Sequence, residues 1–257
     1  MFTERTPRVA AARQLTRRAG RERAGRFLVE GAQAVREALR YGQVHEVFVT
    51  ETAAARNADW LSIVDVPVST VTDKAADGLS ETVTPQGIVA VCELLDVSLD
   101  EALAGARLVA VLVGVSDPGN AGTVTRVADA AGASAVVFAG DTVDPHNGKC
   151  VRASTGSVFH LPLSRARNTT AVFDACRAAG LRLVAADGYA TKDLTEADLS
   201  EPTAWVFGSE AHGLDDEILT GVDEAVKVPI YGKAESLNLA AAAAVCLYAT
   251  AILAAGR

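Results

Sequence analysis

The sequence predicts an α/β protein with two domains, of which the larger contains a parallel β-sheet covered by helices on both faces. Apolar or β-branched runs of strand type alternate with segments of helical type through most of the 257 residues, which is the pattern of a sheet with crossover helices. Several runs, such as Leu108 to Val115, are apolar almost throughout, as expected of strands buried on both faces. The alternation is interrupted over residues 96–106, an acidic stretch that we interpret as a linker.

The first domain, residues 1–95, is predicted to be a small βαβ-type unit. We expect helices over residues 8–19, 32–41, 52–61 and 73–79, and strands over residues 27–29, 44–50, 66–71 and 87–94. Glycines mark the interruptions, since Gly20 to Gly25 predicts an irregular stretch and Gly42 ends the second helix.

The second domain, residues 107–257, is predicted to contain the parallel sheet. We expect strands over residues 108–115, 135–139, 181–186, 203–208 and 225–230, and helices over residues 121–131, 149–158, 169–180, 215–221 and 237–255. The last helix is rich in alanine and suits either an interface between two copies of the chain or packing within one subunit.

The charge of the chain is unevenly distributed. The net charge of −8 would by itself argue against a nucleic-acid partner. Residues 1–40, however, contain ten Arg against four Glu, about +6, which leaves about −14 on the remainder. A basic patch is therefore predicted at the start of the chain.

The cysteines and histidines do not indicate a metal site. Four cysteines lie far apart without a C-x-x-C pair, which predicts reduced core thiols rather than a disulfide framework or zinc ligands. The four histidines show no ligand spacing, so no metal is expected. No apolar run has the position and length of a signal peptide or predicts a membrane partner, and we expect a cytoplasmic protein.

Several glycine-containing patterns resemble known catalytic loops but lack their essential residues. Gly114 and Gly119 have the spacing of a phosphate-binding loop, yet Asn120 and Ala121 stand where that loop needs Lys and Ser or Thr. The dinucleotide pattern G-x-G-x-x-G is missing after the first strand of the second domain. An NTPase is therefore disfavoured, and a dinucleotide oxidoreductase remains a weaker alternative.

Three segments carry the candidate chemistry: Asp117–Arg126, Phe207–Leu214 and Ser236–Ala240. Each follows a strand-type run and leads into a helix-type segment, so all three are expected at the carboxyl edge of the sheet, where α/β folds bind ligands. Asn120 is placed to cap the helix that follows it. Taken singly, each segment has an ordinary explanation: a Pro-Gly-Asn turn with a surface Arg, a solvated acid at Glu210, and an N-terminal helix cap at Ser236 and Asn238. Their combination predicts one site.

The order D-P-G-N-A-G-T-x-x-R, G-S-E-x-x-G-L and S-L-N-L-x-x-A resembles the SpoU/TrmH family of RNA ribose 2′-O-methyltransferases, in the SPOUT superfamily. This resemblance implies a C-terminal trefoil-knotted domain with a parallel sheet, preceded by a small ribosomal-protein-like α/β/α RNA-binding domain. It also implies S-adenosylmethionine as the cofactor, a homodimer, and RNA as the partner, with rRNA favoured over tRNA. A catalytically idle RNA-binding or ribosome-assembly factor with the same fold is the alternative.

The resemblance also implies residue roles. Arg126 would have the central role, either as a base or by positioning the hydroxyl and a phosphate, and the full catalytic set is Asn120, Arg126, Glu210, Ser236 and Asn238. The implied cofactor-binding residues are Phe207, Gly208, Ser209, Gly213, Val228, Ile230, Leu237 and Leu239. The implied RNA-binding residues are Arg13, Arg17, Arg18, Arg21, Arg23, Arg26 and Arg152.

Overall fold

The computed structural model describes residues 1–256. The helices are α1 Pro7–Arg13, α2 Arg18–Ala24, α3 Ala32–Tyr41, α4 Glu51–Arg56, α5 Ala58–Leu61, α6 Asp73–Asp77, α7 Leu99–Leu103, α8 Pro118–Ala130, α9 Gly148–Ser154, α10 Thr169–Ala178, α11 Asp216–Thr220 and α12 Leu239–Ala255. The strands are β1 Arg26–Glu30, β2 Val44–Val49, β3 Val68–Thr70, β4 Ile88–Glu93, β5 Leu108–Val113, β6 Ala135–Ala139, β7 Leu163–Ala166, β8 Arg182–Ala186, β9 Lys192–Asp193, β10 Thr203–Phe207 and β11 Glu224–Lys227.

The chain divides into two compact units. Unit 1 comprises Met1–Leu95 together with His146–His160, and unit 2 comprises Asp96–Pro145 together with residues 161–256. This division differs from the predicted one in two places. The predicted linker contains α7 and lies in unit 2, and the helix predicted over residues 149–158 is the shorter α9, which lies in unit 1.

Unit 1 is built on a mixed four-stranded sheet in the order β1-β4-β2-β3. Strand β4 runs antiparallel to both β1 and β2, and β2 pairs with β3 in parallel. Apolar residues of α1 and α6 pack on one face of the sheet, and α3 contacts β1 and β4. The α/β/α organisation implied by the family resemblance is therefore confirmed.

The Arg-rich start folds differently from its prediction. The helix expected over residues 8–19 ends at Arg13, a 3₁₀ turn follows at Gln14–Thr16, and α2 continues through the stretch predicted to be irregular. Gly20 permits this break, because an added Cβ would lie 1.9 Å from the carbonyl oxygen of Gln14. The chain can therefore fold back closely upon the turn.

Arg21 was predicted to bind RNA, and its burial makes that prediction wrong. Only 3% of the residue is exposed, and its Nη1 donates hydrogen bonds to the carbonyl oxygens of Leu15 (3.0 Å) and Thr16 (3.1 Å). A buried charge is tolerated when its donors are satisfied in this way. Arg21 therefore stabilises the turn between α1 and α2.

Arg152 also serves the fold of unit 1. Its Nη1 donates to Oε2 of Glu30 at 3.1 Å, and Glu30 accepts further hydrogen bonds from the hydroxyls of Ser80 and Thr82. The Glu30 side chain is 9% exposed, so this ion pair is well shielded from water. The guanidinium therefore attaches α9 to β1, and its contact with RNA stays a prediction.

Unit 2 contains the predicted parallel sheet, with strand order β7-β6-β5-β10-β8-β11-β9. Alternate residues of a strand face opposite sides. Val109 and Val206 pack in a core cluster that includes residues of α10. Helices α8 and α12 contact β5, and Nε1 of Trp205 donates a hydrogen bond to the hydroxyl of Thr250 in α12 at 2.9 Å. Strands β7 and β9 were not predicted, and the trefoil knot stays a prediction.

The cysteines are buried and unbonded to one another, as expected of core thiols. Burial raises the pKa of Cys176 to about 11 and that of Cys246 to about 12, so both thiols are protonated at neutral pH. Across residues 1–256, helices long and apolar enough to cross a bilayer are absent.

Replacing Arg21 by Ala should destabilise the protein by about 2 to 3 kcal/mol, because two buried carbonyl groups lose charge-assisted hydrogen bonds. Urea unfolding followed by circular dichroism measures this loss. Arg18→Ala is the matched control on the same helix, since Arg18 is exposed and pairs with Glu22, and we expect a loss below about 0.5 kcal/mol. Equal losses in the two variants would contradict a structural role for Arg21.

Candidate active site

The candidate site lies at the carboxyl edge of the unit 2 sheet, where the loops after neighbouring strands meet. Phe207, the last residue of β10, pairs with Leu112 of β5 on one side and with Ala186 of β8 on the other. Ala186 also pairs with Val226 of β11. Because these strands are parallel and in register, the loops that follow them emerge side by side.

Glu210 joins the loop after β10 to the start of α8. Its two carboxylate oxygens accept hydrogen bonds from the backbone N–H groups of Ser116 and Asp117 (each 3.2 Å), from the Ser116 hydroxyl (3.3 Å) and from Nδ2 of Asn120 (3.1 Å). Burial acts to raise the pKa of Glu210, but these hydrogen bonds outweigh it, so the pKa lies below its usual value of 4.5. Glu210 is therefore an ionised anchor and not a freely solvated acid.

Asn120 bridges two of the three predicted segments. Its Nδ2 donates to Glu210, and its Oδ1 accepts from Nδ2 of Asn238 at 3.0 Å. The sequence analysis expected Asn120 to cap the helix, but α8 begins earlier, at Pro118, and Asp117 is its N-cap. Since Asp117 Oδ1 accepts from the Asn120 backbone N–H at 2.8 Å, the Asn120 side chain remains available for the bridge.

Asn238 both caps the last helix and holds the third segment in place. Its Oδ1 accepts from the backbone N–H groups of Ala240 (2.9 Å) and Ala241 (3.4 Å) at the start of α12. Its Nδ2 is thereby directed away from the helix, toward Asn120. The helix cap and the bridge to Asn120 are therefore made by the same side chain.

Arg126 and Ser236 stand near the bridging residues in the sequence. Arg126 is exposed on α8, six residues beyond Asn120, which corresponds to a rise of about 9 Å along the helix. A guanidinium on a long side chain can span most of that distance toward the carboxyl edge. Ser236 is exposed two residues before Asn238.

The loop after β10 is closed by its own backbone. Ser209 and Gly213 exchange two backbone hydrogen bonds, of 3.0 and 2.9 Å, and Gly213 has a φ of +65°. An added Cβ at Gly208 would lie 2.4 Å from the carbonyl group of Gly213, so a side chain there would open the loop. Both glycines are therefore required by the loop conformation.

The loop after β11 has the features of a backbone-lined ligand site. In the described structure, residues 228–237 make no hydrogen bonds to other protein groups, so their peptide groups are available to a ligand or to water. Ile230 and Leu237 are 39% and 41% exposed beside these groups. Peptide donors and acceptors next to apolar side chains suit a ligand that carries a planar heterocycle.

The remaining predicted cofactor residues differ in accessibility. Ser209 and Leu239 are half-buried, and Val228 is half-buried just beyond β11. Phe207 is fully buried and stacks on Trp205 at 6.3 Å between ring centroids. A contact between Phe207 and a cofactor would therefore have to come from its main chain.

The exposed arginines of the predicted RNA-binding set lie in unit 1. Arg13 and Arg17 line an open depression of about 350 Å³ together with Gln14 and Thr16. The other exposed members of the set are Arg18, Arg23 and Arg26. These positions leave most of the set available to a polyanion.

Two features of the site were missed from sequence. Ser116 and Asp117 hold Glu210, and an Asp before Pro at a helix start is a recognisable N-cap signal. The loop after β8 also emerges at this edge, and it carries Tyr189, which is 95% exposed. The position of that loop depends on the order of strands, which sequence periodicity does not reveal.

The chain matches two protein-family models. The one described as "SpoU rRNA Methylase family" matches residues 107–248, more than half of the chain, and the one described as "MRM3-like substrate binding domain" matches residues 6–90. The first match contains all five predicted catalytic residues.

Individual relatives span nearly the whole chain. The 23S rRNA (guanosine(2553)-2′-O)-methyltransferase RlmP of Bacillus subtilis (strain 168) is 38% identical over 230 residues, which cover 89% of each protein. The solved structure of the SpoU methyltransferase AviRb from Streptomyces viridochromogenes with the cofactor AdoMet is similar at a TM-score of 0.87, with 31% identity over 98% of this chain and 99% of that chain. The AdoMet-bound rRNA methyltransferase from Sinorhizobium meliloti has a TM-score of 0.83, with 31% identity over 95% and 94% of the two chains.

The Glu210 network predicts a pH-dependent contribution to stability. A folded-state pKa below 4.5 means that the contribution is complete above about pH 4.5 and is lost as the pH falls through the lowered value. The stability difference between the unmodified protein and Glu210→Gln should therefore be constant from about pH 5.5 upward and shrink below about pH 4.5, as measured by urea unfolding. Glu217→Gln, at an exposed acid on α11, is the control, and a Glu210 difference that does not vary with pH would contradict the network.

Proposed function

The chain belongs to the SpoU rRNA methylase family, and on this premise we propose that it transfers a methyl group from S-adenosylmethionine to a ribose 2′-hydroxyl of RNA. The observation that carries the proposal is the hydrogen-bonded chain from Glu210 through Asn120 to Asn238. It draws the three segments of the family motif into one place at the ligand-binding edge of the sheet.

Ribosomal RNA is the substrate class that the relatives favour. The Bacillus subtilis relative is named for a 23S rRNA guanosine, and the Sinorhizobium meliloti structure is that of an rRNA methyltransferase. We propose the same class of RNA here. An rRNA substrate also favours the cytoplasm as the place where this enzyme works.

The loops after β10 and β11 are the proposed binding site for S-adenosylmethionine. When bound, this cofactor supplies a methyl group on a sulfonium sulfur, which is a good leaving group. The peptide groups near Gly208, Val228 and Leu237 would provide hydrogen bonds, and Ile230 would provide apolar contact. Gly208 and Gly213 would let the main chain approach the ligand closely.

Arg126 is proposed to position the RNA for transfer. A guanidinium has five fixed N–H donors and no acceptor, so it suits a phosphate and a hydroxyl better than it suits proton removal. The anchored Asn120 would hold the start of α8, and with it Arg126, at a constant distance from Glu210 and Asn238. Ser236 and Asn238 would lie beside the reacting hydroxyl. Positioning of this kind can supply several orders of magnitude in rate.

Unit 1 is the proposed RNA-binding module, and unit 2 contains the catalytic groups. Unit 1 carries 14 Lys and Arg against 12 Asp and Glu, whereas unit 2, as bounded above, carries 9 against 20. The exposed arginines around the depression at Arg13 and Arg17 would contact phosphates. The proposed RNA-binding module thus includes His146–His160 in addition to residues 1–95.

The proposed assembly is a homodimer that pairs through α12. This helix carries no charged residue, and Val245, Tyr248 and Ile252 recur on one side of it with 42%, 42% and 67% exposure. A contiguous exposed apolar face of this kind marks an interaction surface. A second copy of the chain would present the same face, as a two-fold interface requires.

Arg126→Lys tests the proposed activity. With radiolabelled S-adenosylmethionine and unmodified 23S rRNA, we expect the unmodified protein to transfer methyl groups and the variant to lose about 100-fold or more in kcat, because Lys cannot reproduce a planar two-point contact. Isothermal calorimetry should show unchanged affinity for the cofactor.

Arg107→Lys is the matched control, since Arg107 is exposed and precedes β5 at the opposite edge of the sheet. It should keep full activity. Absence of methyl transfer by the unmodified protein on any RNA fraction would refute the proposed function, and full activity of Arg126→Lys would refute the two-point contact alone.

Ile252→Glu should convert the dimer into a monomer, because it places a charge on the apolar face of α12. Size-exclusion chromatography with light scattering would detect the change from twice the chain mass to the single mass. Ile63→Glu is the control, since Ile63 is a similarly exposed residue in unit 1 at 80%. If the unmodified protein is monomeric, or if Ile252→Glu leaves the dimer intact, the α12 interface is wrong.

A further inference from the structure

We propose that the exposed face of α3 in unit 1 binds unpaired nucleotides of the RNA substrate by stacking their bases on two arginines that lie over neighbouring aromatic rings. The proposal rests on RNA being the substrate, as proposed above. We call this surface the α3 platform, and it comprises Arg36, Arg40, Tyr41, Trp60 and His160.

The first observation is that both arginines of α3 lie over aromatic rings. Cζ of Arg36 is 5.1 Å from the ring centroid of Trp60, and Cζ of Arg40 is 5.0 Å from that of Tyr41. Tyr41 in turn meets the ring of His160 edge to face, with 4.9 Å between centroids. All of these groups belong to unit 1.

The second observation is that the arginines share one side of the helix. Arg36 and Arg40 are four residues apart, one helical turn, and both are exposed, whereas Val35 and Ala38 face the core. One turn corresponds to a rise of about 6 Å. The platform therefore presents two cationic planes in succession along α3.

A guanidinium that lies over one ring can bind a second planar group on its opposite side. The aromatic contact restricts the rotamers of the side chain, so less conformational freedom is lost on binding. The outer face of the guanidinium can then stack on a base, and the N–H groups at its rim can bond a phosphate. Tyr41 is 51% exposed and adds an aromatic surface at one end.

The charges around the platform favour a polyanion. Asp59 lies 3.9 Å from Arg36, and Glu37 bonds to His160 at 3.1 Å and to Gln33 at 3.1 Å. The Arg36 pair is long and exposed, and such pairs contribute little, so a phosphate can replace the carboxylate. Unit 1 is also the unit with excess positive charge.

Unpaired RNA fits this surface better than a duplex or a protein. A duplex stacks its bases inside the helix, and a protein partner would need an apolar patch, whereas this surface is formed largely by two charged arginines that lie over the rings of Trp60 and Tyr41. Loops and bulges expose both the flat bases and the phosphates that the platform can bind.

The test compares affinity for two RNAs by fluorescence anisotropy, using the full chain. One RNA is a labelled hairpin with an unpaired loop, and the other is a fully paired duplex of the same length. The variant Arg36→Lys/Arg40→Lys keeps both charges but removes both planes. We expect its Kd for the hairpin to rise about 10-fold, because stacking is lost, while its Kd for the duplex changes less than about 2-fold.

Arg56→Lys/Arg107→Lys is the matched control, since these exposed arginines lie outside the proposed RNA-binding and catalytic residues and make no aromatic contact within the described residues, and we expect less than about a 2-fold change for either RNA. Tyr41→Leu, at an exposed position, provides a second variant that removes one ring without altering charge and should weaken hairpin binding about 3-fold. Circular dichroism verifies that each variant is folded.

Three results of these measurements would contradict the proposals, and each points to a different cause. Equal losses on hairpin and duplex would mean that the platform contacts phosphates without stacking, and would overturn the proposal. Unchanged affinity for both RNAs would assign the face to a protein partner or to none, and would overturn it as well. If the unmodified protein neither binds nor methylates rRNA, the proposed function itself fails, a result that the methyl-transfer assay identifies independently.

Discussion

The candidate site depends on the fact that an ionised carboxylate can only accept hydrogen bonds. Because Glu210 accepts from Asn120, the amide of Asn120 must point its Nδ2 toward Glu210 and its Oδ1 toward Asn238. Asn238 must then donate with Nδ2 and turn its Oδ1 toward the backbone N–H groups of α12. One negative charge thus sets the orientation of two amides and connects the loop after β10 to the starts of α8 and α12.

The donor and acceptor directions of this network matter only because the sheet brings the loops together. Strand β10 lies between β5 and β8, although more than 80 residues separate the end of β5 from the start of β10, and the register places Phe207 beside Leu112. The loop after β10 is then kept compact by Gly208, where any Cβ would collide with the backbone of Gly213. Sheet topology provides proximity, and the carboxylate network converts proximity into a defined arrangement of side chains.

Sequence periodicity could predict the central strands of both units, because buried strands leave local signals. Asn120, Glu210 and Asn238 were expected from the family motif, whereas their partners Ser116 and Asp117 were missed. Periodicity could not predict which compact unit residues 146–160 would join, since the ion pair that holds α9 links Arg152 to Glu30 across 122 positions. For the same reason a count of basic residues overestimates the RNA surface. Arg21 and Arg152 look like the exposed arginines in sequence, but one satisfies buried carbonyls and the other a shielded carboxylate. Long-range partners of this kind are not encoded in the local pattern.

The hydrogen bonds that Glu210 already accepts also bear on which group would take the proton of the ribose hydroxyl in the proposed reaction. A carboxylate has about four lone-pair sites, and Glu210 uses its oxygens for bonds to three residues, one of which donates twice. Its lowered pKa makes it a still weaker base. In the proposed reaction the acid of the family motif would therefore act by positioning, as is also proposed for the Arg126 guanidinium. The proton acceptor is then best sought outside the protein, in a phosphate of the RNA that Arg126 holds against the hydroxyl, so the substrate would supply a group that the enzyme lacks.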